Sequence, residues 1–280
     1  MTIALVVVAA LLTCPAFQDR PFSSLSAAEK RAALNELLKG LSPNTLDRPA
    51  PAHAAGLIRE GLEDEDANVR RTALGAAHGL SYLIKLRAKQ WPEEARREQT
   101  ALNALIPRLT IMLSDADWRI REQVVRTLGS VDSVLGPRGA VFTSADTLKR
   151  FATMFSTEPH GGVRATIMNT FSLMSEHRTD IGAQAVIEAG LNDTHPGVLQ
   201  HAASGVGRAK LPHLLPRLVP LLKHPDRGVR LDAAVAFGML PADSAAFIAE
   251  LQRAADSELE HPIKQTLLAA IRLAREKGKR

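Results

Sequence analysis

The stretch DRGVRLDAAVAFG (residues 226–238) contains the pattern that decides the fold. A polar turn leads into a valine and an arginine, and small or apolar residues then recur along one side of a helix. Apolar residues follow Val229 after 4, 7, 8 and 11 positions, at Ala233, Ala236, Phe237 and Leu240. This spacing is typical of one helical stripe. Because most of the stripe is alanine, we expect neighbouring helices to pack closely against it.

The same pattern recurs along the chain. Its aligned branched residues are Val69, Ile120, Val163, Val198, Val229 and Ile263. The last three steps between them, 35, 31 and 34 residues, are typical of two-helix solenoid repeats. Another apolar segment precedes each copy, so each unit is predicted to be a helix A, a tight polar turn and a helix B. The sequence therefore predicts an all-α protein, a right-handed α-solenoid of about six helix pairs.

These units resemble HEAT repeats, of the HEAT-like kind also found in phycobilisome lyases. The family pattern has an acidic residue that closes helix A and a basic residue six positions later. The matching pairs are Asp64/Arg70, Asp115/Arg121, Glu158/Arg164 and Glu258/Lys264. Two units keep only one member of the pair: Leu199 lies six positions after Asp193, and His224 lies six positions before Arg230. The resemblance, over about residues 50–273, implies that these side chains form a structural ladder between neighbouring turns.

The N-terminal region differs from the rest of the chain. The apolar run from Ile3 to Thr13 is too short to span a bilayer and fits the core of a secretory signal, with Ala16 as the candidate cleavage residue. Cys14, the only cysteine, is a possible lipidation site because LLTC resembles a lipoprotein signal. We therefore expect residues 1–18 to be a signal peptide. The predicted location is the periplasm or cell envelope, with the cytoplasm as the alternative.

Residues 19–52 are interpreted as an N-terminal helix followed by a proline-rich connection, and residues 53–280 as the repeat domain. Ser26 and Glu29 form a capping-box pattern at the start of that helix, which we expect to close the stack.

Two insertions interrupt the repeats. We expect residues 81–100 to extend two helices around Trp91 and Pro92, and residues 130–144 to form a loop. Insertions in solenoids often lie on one face and carry the binding function.

The motifs of common enzyme classes are missing from the sequence. It has no P-loop, no Gly-x-Ser-x-Gly and no dinucleotide-binding glycine pattern. Four of the turns carry a histidine, at positions 160, 195, 224 and 261, and helices packed about 8–10 Å apart do not bring histidines of successive repeats within metal-ligand distance. We therefore expect no catalytic residues, no cofactor and no metal site.

In such a solenoid the B helices are expected to line the concave side, and their non-core positions, three and six after each aligned residue, are small, polar and nearly neutral. The candidate partner-binding residues among them are Gln123, Arg126, Asn169, His201 and Asp232. They predict a hydrogen-bonding groove for a protein or peptide and carry too little positive charge for a DNA backbone. Trp91 and Trp118 are possible anchors, because tryptophan is enriched at interface hot spots.

The sequence thus favours a non-catalytic interaction or scaffold protein of the HEAT-repeat type, exported from the cytoplasm. Its partner would be a protein or peptide, and it would contact a membrane only through a lipid on Cys14. The alternative is a cytosolic HEAT-like regulator or a macromolecule-modifying protein, such as an alkylpurine DNA glycosylase-like protein.

Overall fold

The computed structural model describes residues 20–41, 53–88, 90–135, 141–175 and 182–277. The chain divides into two compact units, Met1–Thr143 and Ser144–Arg280. The predicted signal segment with Cys14, the predicted connection at residues 42–52 and residues 136–140 of the predicted loop lie outside the described residues.

The first unit is built from paired helices. Its elements are α1 (Ala27–Gly40), α2 (Ala54–Leu62), α3 (Ala67–Arg87), α4 (Pro92–Asn103), α5 (Ile106–Met112), α6 (Trp118–Val131), β1 (Ser133–Leu135) and β2 (Val141–Thr143). The A helices α2 and α5 pack against the B helices α3 and α6, and α3 packs against α6. Helix α1 packs against α3 from the other side, in the position of a preceding B helix.

Side-chain caps fix where these helices begin. The Ser26 side chain accepts a hydrogen bond from the Glu29 N–H, and the Glu29 carboxylate accepts one from the Ser26 N–H, which completes the predicted capping box. Asp66 caps α3 and Asp117 caps α6 by accepting backbone N–H groups of the first turn. Each such cap stabilises a helix by about 1 kcal/mol.

The insertion at residues 81–100 extends two helices, as predicted: α3 continues to Arg87 and α4 begins at Pro92. The buried Arg87 guanidinium donates to both carboxylate oxygens of Glu98, at 2.9 and 3.1 Å. This pair holds α4 against the end of α3.

The second insertion is not simply the predicted loop. Ser133 pairs with Thr143 and Leu135 with Val141 in an antiparallel hairpin. Valine on both arms and phenylalanine and threonine on the second are residue types that favour an extended backbone, which explains the difference. The Thr143 hydroxyl donates to the Gly129 carbonyl over 2.9 Å and fastens the hairpin to the end of α6.

The second unit repeats the same arrangement. Its elements are α7 (Ala145–Thr157), α8 (Gly161–Ser175), α9 (Ala183–Gly190), α10 (Pro196–Arg208), α11 (Leu215–Leu218), α12 (Arg227–Met239), α13 (Ile248–Ser257) and α14 (His261–Lys277). The B helices α8, α10, α12 and α14 pack successively on one another. The A helices α7, α9 and α13 pack against α8, α10 and α14.

The A segment before α12 is broken rather than continuous. Short α11 lies between two 3-10 turns, Pro212–Leu214 and Pro220–Lys223. Three prolines, at 212, 216 and 220, remove backbone donors and prevent a regular α-helix.

The core follows the aligned residues of the repeats. All six branched residues that align with Val229 are fully buried. Within the described ranges, no helix is both long enough and apolar enough to cross a bilayer.

Two glycines show how tightly the B helices pack. A Cβ on Gly207 of α10 would lie 2.9 Å from the Met239 Sδ and 3.0 Å from the Ala236 Cα of α12, which is too close without a shift of the helices. A Cβ on Gly75 of α3 would meet only side-chain atoms, at 3.7 and 3.8 Å, which is ordinary contact.

We therefore predict opposite effects for the two alanine substitutions. Gly207→Ala should lower the free energy of unfolding by about 1–3 kcal/mol, because α10 and α12 must separate. Gly75→Ala should raise it by about 0.5–1 kcal/mol, because alanine is the better helix former. Urea denaturation of both variants tests this, and a gain in stability for Gly207→Ala would contradict the close contact.

Candidate functional site

One arginine holds the turn between helix A and helix B. Arg70 Nη1 donates to the carbonyl oxygens of Asp64 and Glu65, at 3.0 and 2.8 Å. The same nitrogen of Arg121, Arg164 and Arg230 donates to the carbonyls six and five residues before it. These carbonyls belong to the turn that follows helix A, where they have no helical partners. The arginine therefore fixes the turn of its own repeat to the first turns of helix B.

The acidic residue of the motif holds the same turn from the other side. Asp64 Oδ1 accepts the backbone N–H of Asp66 over 2.9 Å. The equivalent oxygens of Asp115, Glu158, Asp193 and Glu258 accept the N–H two residues later. One carboxylate oxygen in each turn is thus engaged locally.

The ion pairs run between repeats. Arg164 binds Asp193 of the next repeat through two hydrogen bonds, from Nε (2.7 Å) and Nη2 (2.9 Å). Arg70 lies 3.2 Å from Asp115, and Arg230 lies 2.8 Å from Glu258. The acidic and basic residues that lie six apart in sequence therefore hold the same turn. The salt bridge joins the basic residue of one repeat to the acidic residue of the next, and we call each such salt bridge a rung of the ladder.

Lys264 does not form the rung that the family resemblance implied, which corrects the predicted pair Glu258/Lys264. It lies at the arginine position of α14, but its side chain makes no hydrogen bond or ion pair with any described residue. Glu258 is bound instead by Arg230 of the preceding repeat. The physical reason is that a rung takes its acidic residue from a following repeat, and no repeat follows α14 in the described part of the chain.

Lys30 of α1 forms a further rung that the sequence reasoning missed. Its Nζ lies 2.6 Å from Asp64 Oδ2. Helix α1 is thus joined to the next repeat as a B helix would be. The sequence contained a signal for this, since the basic doublet Lys30-Arg31 matches Arg70-Arg71 of α3.

One rung has neither charged partner. Leu199 occupies the arginine position of α10, and His224 occupies the acidic position of the following turn. His224 Nδ1 accepts the Asp226 N–H over 3.0 Å, so the imidazole replaces the local bond of the carboxylate. The two incomplete motifs of the sequence are therefore the two ends of a single rung.

A second arginine contact crosses the same junction. Arg217 donates to the Glu188 carbonyl (3.2 Å) and to Asn192 Oδ1 (2.6 Å), which links the A segments of consecutive repeats. In the first unit, Arg108 donates to the Leu62 carbonyl over 3.0 Å. Both arginines directly follow a proline of helix A.

Three carboxylates of the ladder have lowered pKa values, which favours their ionised form. Burial opposes ionisation of Asp193, but the hydrogen bonds from Arg164 and the His195 N–H hold its pKa below the usual value. Asp64 beside Lys30 and Glu258 beside Arg230 also have lowered pKa values, by the same balance of burial and hydrogen bonding. The ladder charges therefore compensate one another along the turns.

The outward sides of the B helices form a separate surface, which we call the B face of each unit. In the first unit it carries the predicted residues Gln123 and Arg126. Gln123 Nε2 donates to the Arg71 carbonyl over 3.0 Å, and Arg126 pairs with Glu122 on its own helix at 2.6 Å. Both side chains thus contact neighbours while remaining on the surface.

In the second unit the B face carries Asn169, His201 and Asp232, which are partly exposed. Burial raises the pKa of Asp232, although a hydrogen bond to Gln200 and the charge of Arg208 oppose the shift. The predicted residues thus divide into two sets, one in each compact unit.

Residues of helices α1, α3 and α6 line an open groove on the B face of the first unit. Its volume is about 540 Å³. The polar lining residues are Arg31, Asn35, Asn68, Arg71, Thr72 and Gln123. Of the residues that the sequence nominated for partner binding, Gln123 lies in this groove.

Comparisons with known proteins agree with this repeat geometry. A family model described as HEAT repeats matches residues 183–272, and another described as HEAT repeat matches residues 105–135. The chain is a HEAT-repeat protein. The predicted fold class is therefore confirmed, together with the family resemblance.

Several solved structures resemble this HEAT-repeat chain. An archaeal HEAT-like repeats protein from Thermococcus onnurineus NA1 is 13% identical, with 92% of this chain and 99% of that chain covered and a TM-score of 0.59. An engineered protein is 15% identical, with 81% and 98% covered and a TM-score of 0.54. A Kap121p mutant is 15% identical, with 92% and 31% covered and a TM-score of 0.52. At these identities the likeness shows the fold alone.

A search of curated proteins gave no match to the sequence.

The tryptophans of the HEAT-repeat chain lie at helix starts. Trp91 is the N-cap residue of α4, and Trp118 is the first residue of α6. Both are partly buried. The Arg119 guanidinium lies 4.8 Å from the centre of the Trp118 ring, which is a cation–π distance.

Lys85 is a partly buried cation with a structural explanation. Burial lowers its pKa to about 8. Its Nζ donates to the Ser130 carbonyl (2.6 Å) and lies 3.0 Å from Ser130 Oγ, at the C-terminal end of α6. A cation at this end of a helix is favoured by the helix dipole. Lys85 therefore helps to hold α3 to the end of α6.

Two histidines of the turns make local bonds through Nδ1. His160 Nδ1 accepts the Gly162 N–H over 3.2 Å, much as His224 does in its own turn. In the part of the chain that the structure describes, no three His, Cys, Asp or Glu side chains are arranged to hold a metal ion.

The bidentate rung gives the first prediction for this site. Arg164→Ala should lower the free energy of unfolding at pH 7 by about 2–4 kcal/mol, because Asp193 keeps its buried charge without a partner. The folded pKa of Asp193 lies below its unfolded value, so the contribution is present above about pH 4 and disappears as the pH falls through the folded pKa.

Urea denaturation from pH 7 down to about pH 3 measures this loss. The control is Arg150→Ala, an exposed arginine on α7, which should change stability by less than about 0.5 kcal/mol. An unchanged stability of Arg164→Ala at pH 7 would show that the rung contributes nothing.

The missing rung can be restored. The double substitution Leu199→Arg and His224→Asp should show a favourable coupling of about 1–2 kcal/mol in a double-mutant cycle. Each single substitution should destabilise, because it introduces one charge without its partner. A coupling of zero would mean that positions 199 and 224 do not form the two ends of a rung.

Proposed function

We propose that this HEAT-repeat protein is an exported, non-catalytic scaffold that binds a protein or peptide partner on its B faces. The HEAT/armadillo-like fold supports the proposal, because such repeats are typical of interaction scaffolds and typically lack catalysis. The main observation in its favour is the groove of the first unit. Some of the polar side chains that line this groove make no hydrogen bond with any described residue.

The charged groups of the A–B turns are already paired, which is why we expect the partner to bind the B face and not the turns. The turn arginines Arg70, Arg164 and Arg230 are satisfied by backbone carbonyls and by carboxylates of the next repeat. They are therefore not a column for binding anions. The B face instead carries amide, imidazole and guanidinium groups at the surface.

The ladder would also prepare the B face for binding. Each repeat contacts its neighbours, and the rungs fix the spacing of consecutive B helices. A surface that is already ordered loses little conformational freedom when a partner binds. In this proposal, Asn169, His201 and Asp232 act in the second unit and Gln123 and Arg126 in the first, with Trp91 and Trp118 as flanking anchors.

Export rests on the N-terminal sequence. The apolar run from Ile3 to Thr13 and the small residue Ala16 support cleavage by a signal peptidase. Cys14 offers the alternative of a lipid anchor. Either outcome would place the partner in the cell envelope or periplasm.

The binding proposal predicts where a partner contacts the chain. A photo-crosslinking amino acid at Asn169 or Ser204, both on the B face of the second unit, should capture a specific protein in the native host. The same amino acid at Ala185 of α9 or Ala249 of α13, exposed on A helices, should not. Equal capture from both helix layers, or none from the B face, would contradict the proposal.

The export proposal predicts the mass of the protein from its native host. Cleavage near Ala16 gives an exported chain without an anchor, and a start at a lipidated Cys14 gives an anchored one. A full-length mass would overturn export and favour the cytosolic alternative.

A further inference from the structure

The groove of the first unit has a chemical character that narrows the kind of partner. Arg31 of α1 and Arg71 of α3 both line it. They occupy the same register position, directly after the basic residues that form rungs, Lys30 and Arg70. The first residue of each doublet is therefore neutralised by a carboxylate, while the second faces the groove.

Neither groove arginine has an acidic partner among the described residues. Arg31 Nε makes one long contact, 3.4 Å, to the carbonyl of Ala27 on its own helix. Arg71 is exposed, and its side chain makes no hydrogen bond within the described ranges. No carboxylate belongs to the groove lining. Two guanidinium groups thus add positive charge to one open surface without local compensation.

The remaining lining residues suit an extended backbone. Asn35 and Asn68 are exposed on α1 and α3. Each amide offers both a donor and an acceptor, as the peptide backbone requires. Gly75, Ala28 and Ala32 line the groove with small residues, which leaves room for a chain to approach.

We propose that this groove binds an acidic, extended peptide segment of a partner protein, with Arg31 and Arg71 binding its carboxylates and Asn35 and Asn68 its backbone. The inference rests on the proposed scaffold function and specifies its ligand in the first unit. Guanidinium groups bind carboxylates through two parallel hydrogen bonds, which gives geometric selectivity as well as attraction.

The boundary of the positive surface limits the length of the acidic segment. On α6, the next B helix, the equivalent register position is Glu122, which pairs with Arg126. A carboxylate over α6 would meet a like charge. The acidic side chains of the partner therefore lie over α1 and α3.

A nucleic acid fits the same groove less well. Single-stranded binding sites combine a basic path with aromatic side chains on which bases stack. The lining contains no aromatic residue and only two arginines. Carboxylates on a peptide match this composition better than a regular row of phosphates.

The test uses the full chain and a fluorescein-labelled peptide of four Glu-Ser repeats, with fluorescence anisotropy at about 50 mM and about 150 mM salt. The matched peptide of four Gln-Ser repeats and an eight-nucleotide oligothymidylate serve as comparison probes. Arg31→Gln and Arg71→Gln should each weaken Glu-Ser binding by about tenfold or more. Arg97→Gln, which removes the same charge from an exposed site on α4, should stay within about twofold of wild type.

Several outcomes would overturn the inference. These are no Glu-Ser binding at about 1 mM peptide, equal binding of the Gln-Ser peptide, or equal weakening by Arg97→Gln, which would indicate non-specific attraction. Tighter binding of the oligothymidylate that depends on the same arginines would assign the groove to nucleic acid. Because the crosslinking positions Asn169 and Ser204 lie in the second unit, capture there would leave the scaffold proposal standing even if the peptide fails to bind.

Discussion

The structure depends on one recurring interaction, an arginine that binds the turn after its own helix A and the acidic residue of the next repeat. In Arg164 both tasks are visible in a single side chain, since Nη1 binds two carbonyls and the other nitrogens bind Asp193. The planar, permanently charged guanidinium suits this role because its donors point in fixed directions. A repeat cannot bury its apolar face alone, and each rung ties the turn of one repeat to the turn of the next.

The ladder also separates structural from functional charge. Groups along the turns are paired with one another, and their lowered carboxylate pKa values keep the pairs ionised at neutral pH. The residue that directly follows the rung residue on a B helix takes no part in the ladder. The basic doublets of α1 and α3 show the division most clearly, because Lys30 and Arg70 hold the stack while Arg31 and Arg71 line the groove.

Much of the fold could be predicted from the sequence because it depends on local periodicity, as the buried Val229 and its equivalents show. The pairing of charges could not, because residues six apart share a turn while their salt-bridge partners lie about 30 or more residues away. For this reason Lys264 was assigned to the ladder and Lys30 was missed. The short hairpin escaped prediction because three-residue strands leave a weak periodic signal. The broken A segment had a clear signal in its three prolines, but the apolar spacing favoured a continuous helix. The groove arginines escaped it because a groove across three helices appears only when the helices are packed together.

The missing rung shows how the ladder tolerates change. Removal of one partner would leave a charge in a partly buried position, whereas replacement of both removes the desolvation cost as well as the attraction. Leu199 and His224 follow this rule, since the leucine is buried and the imidazole retains the backbone bond of the lost carboxylate. At this junction, close packing of α10 on α12 at Gly207 and the Arg217 contacts join the repeats without the salt bridge. The repeats are therefore joined by interchangeable sets of contacts, and what each junction must preserve is the spacing of its B helices.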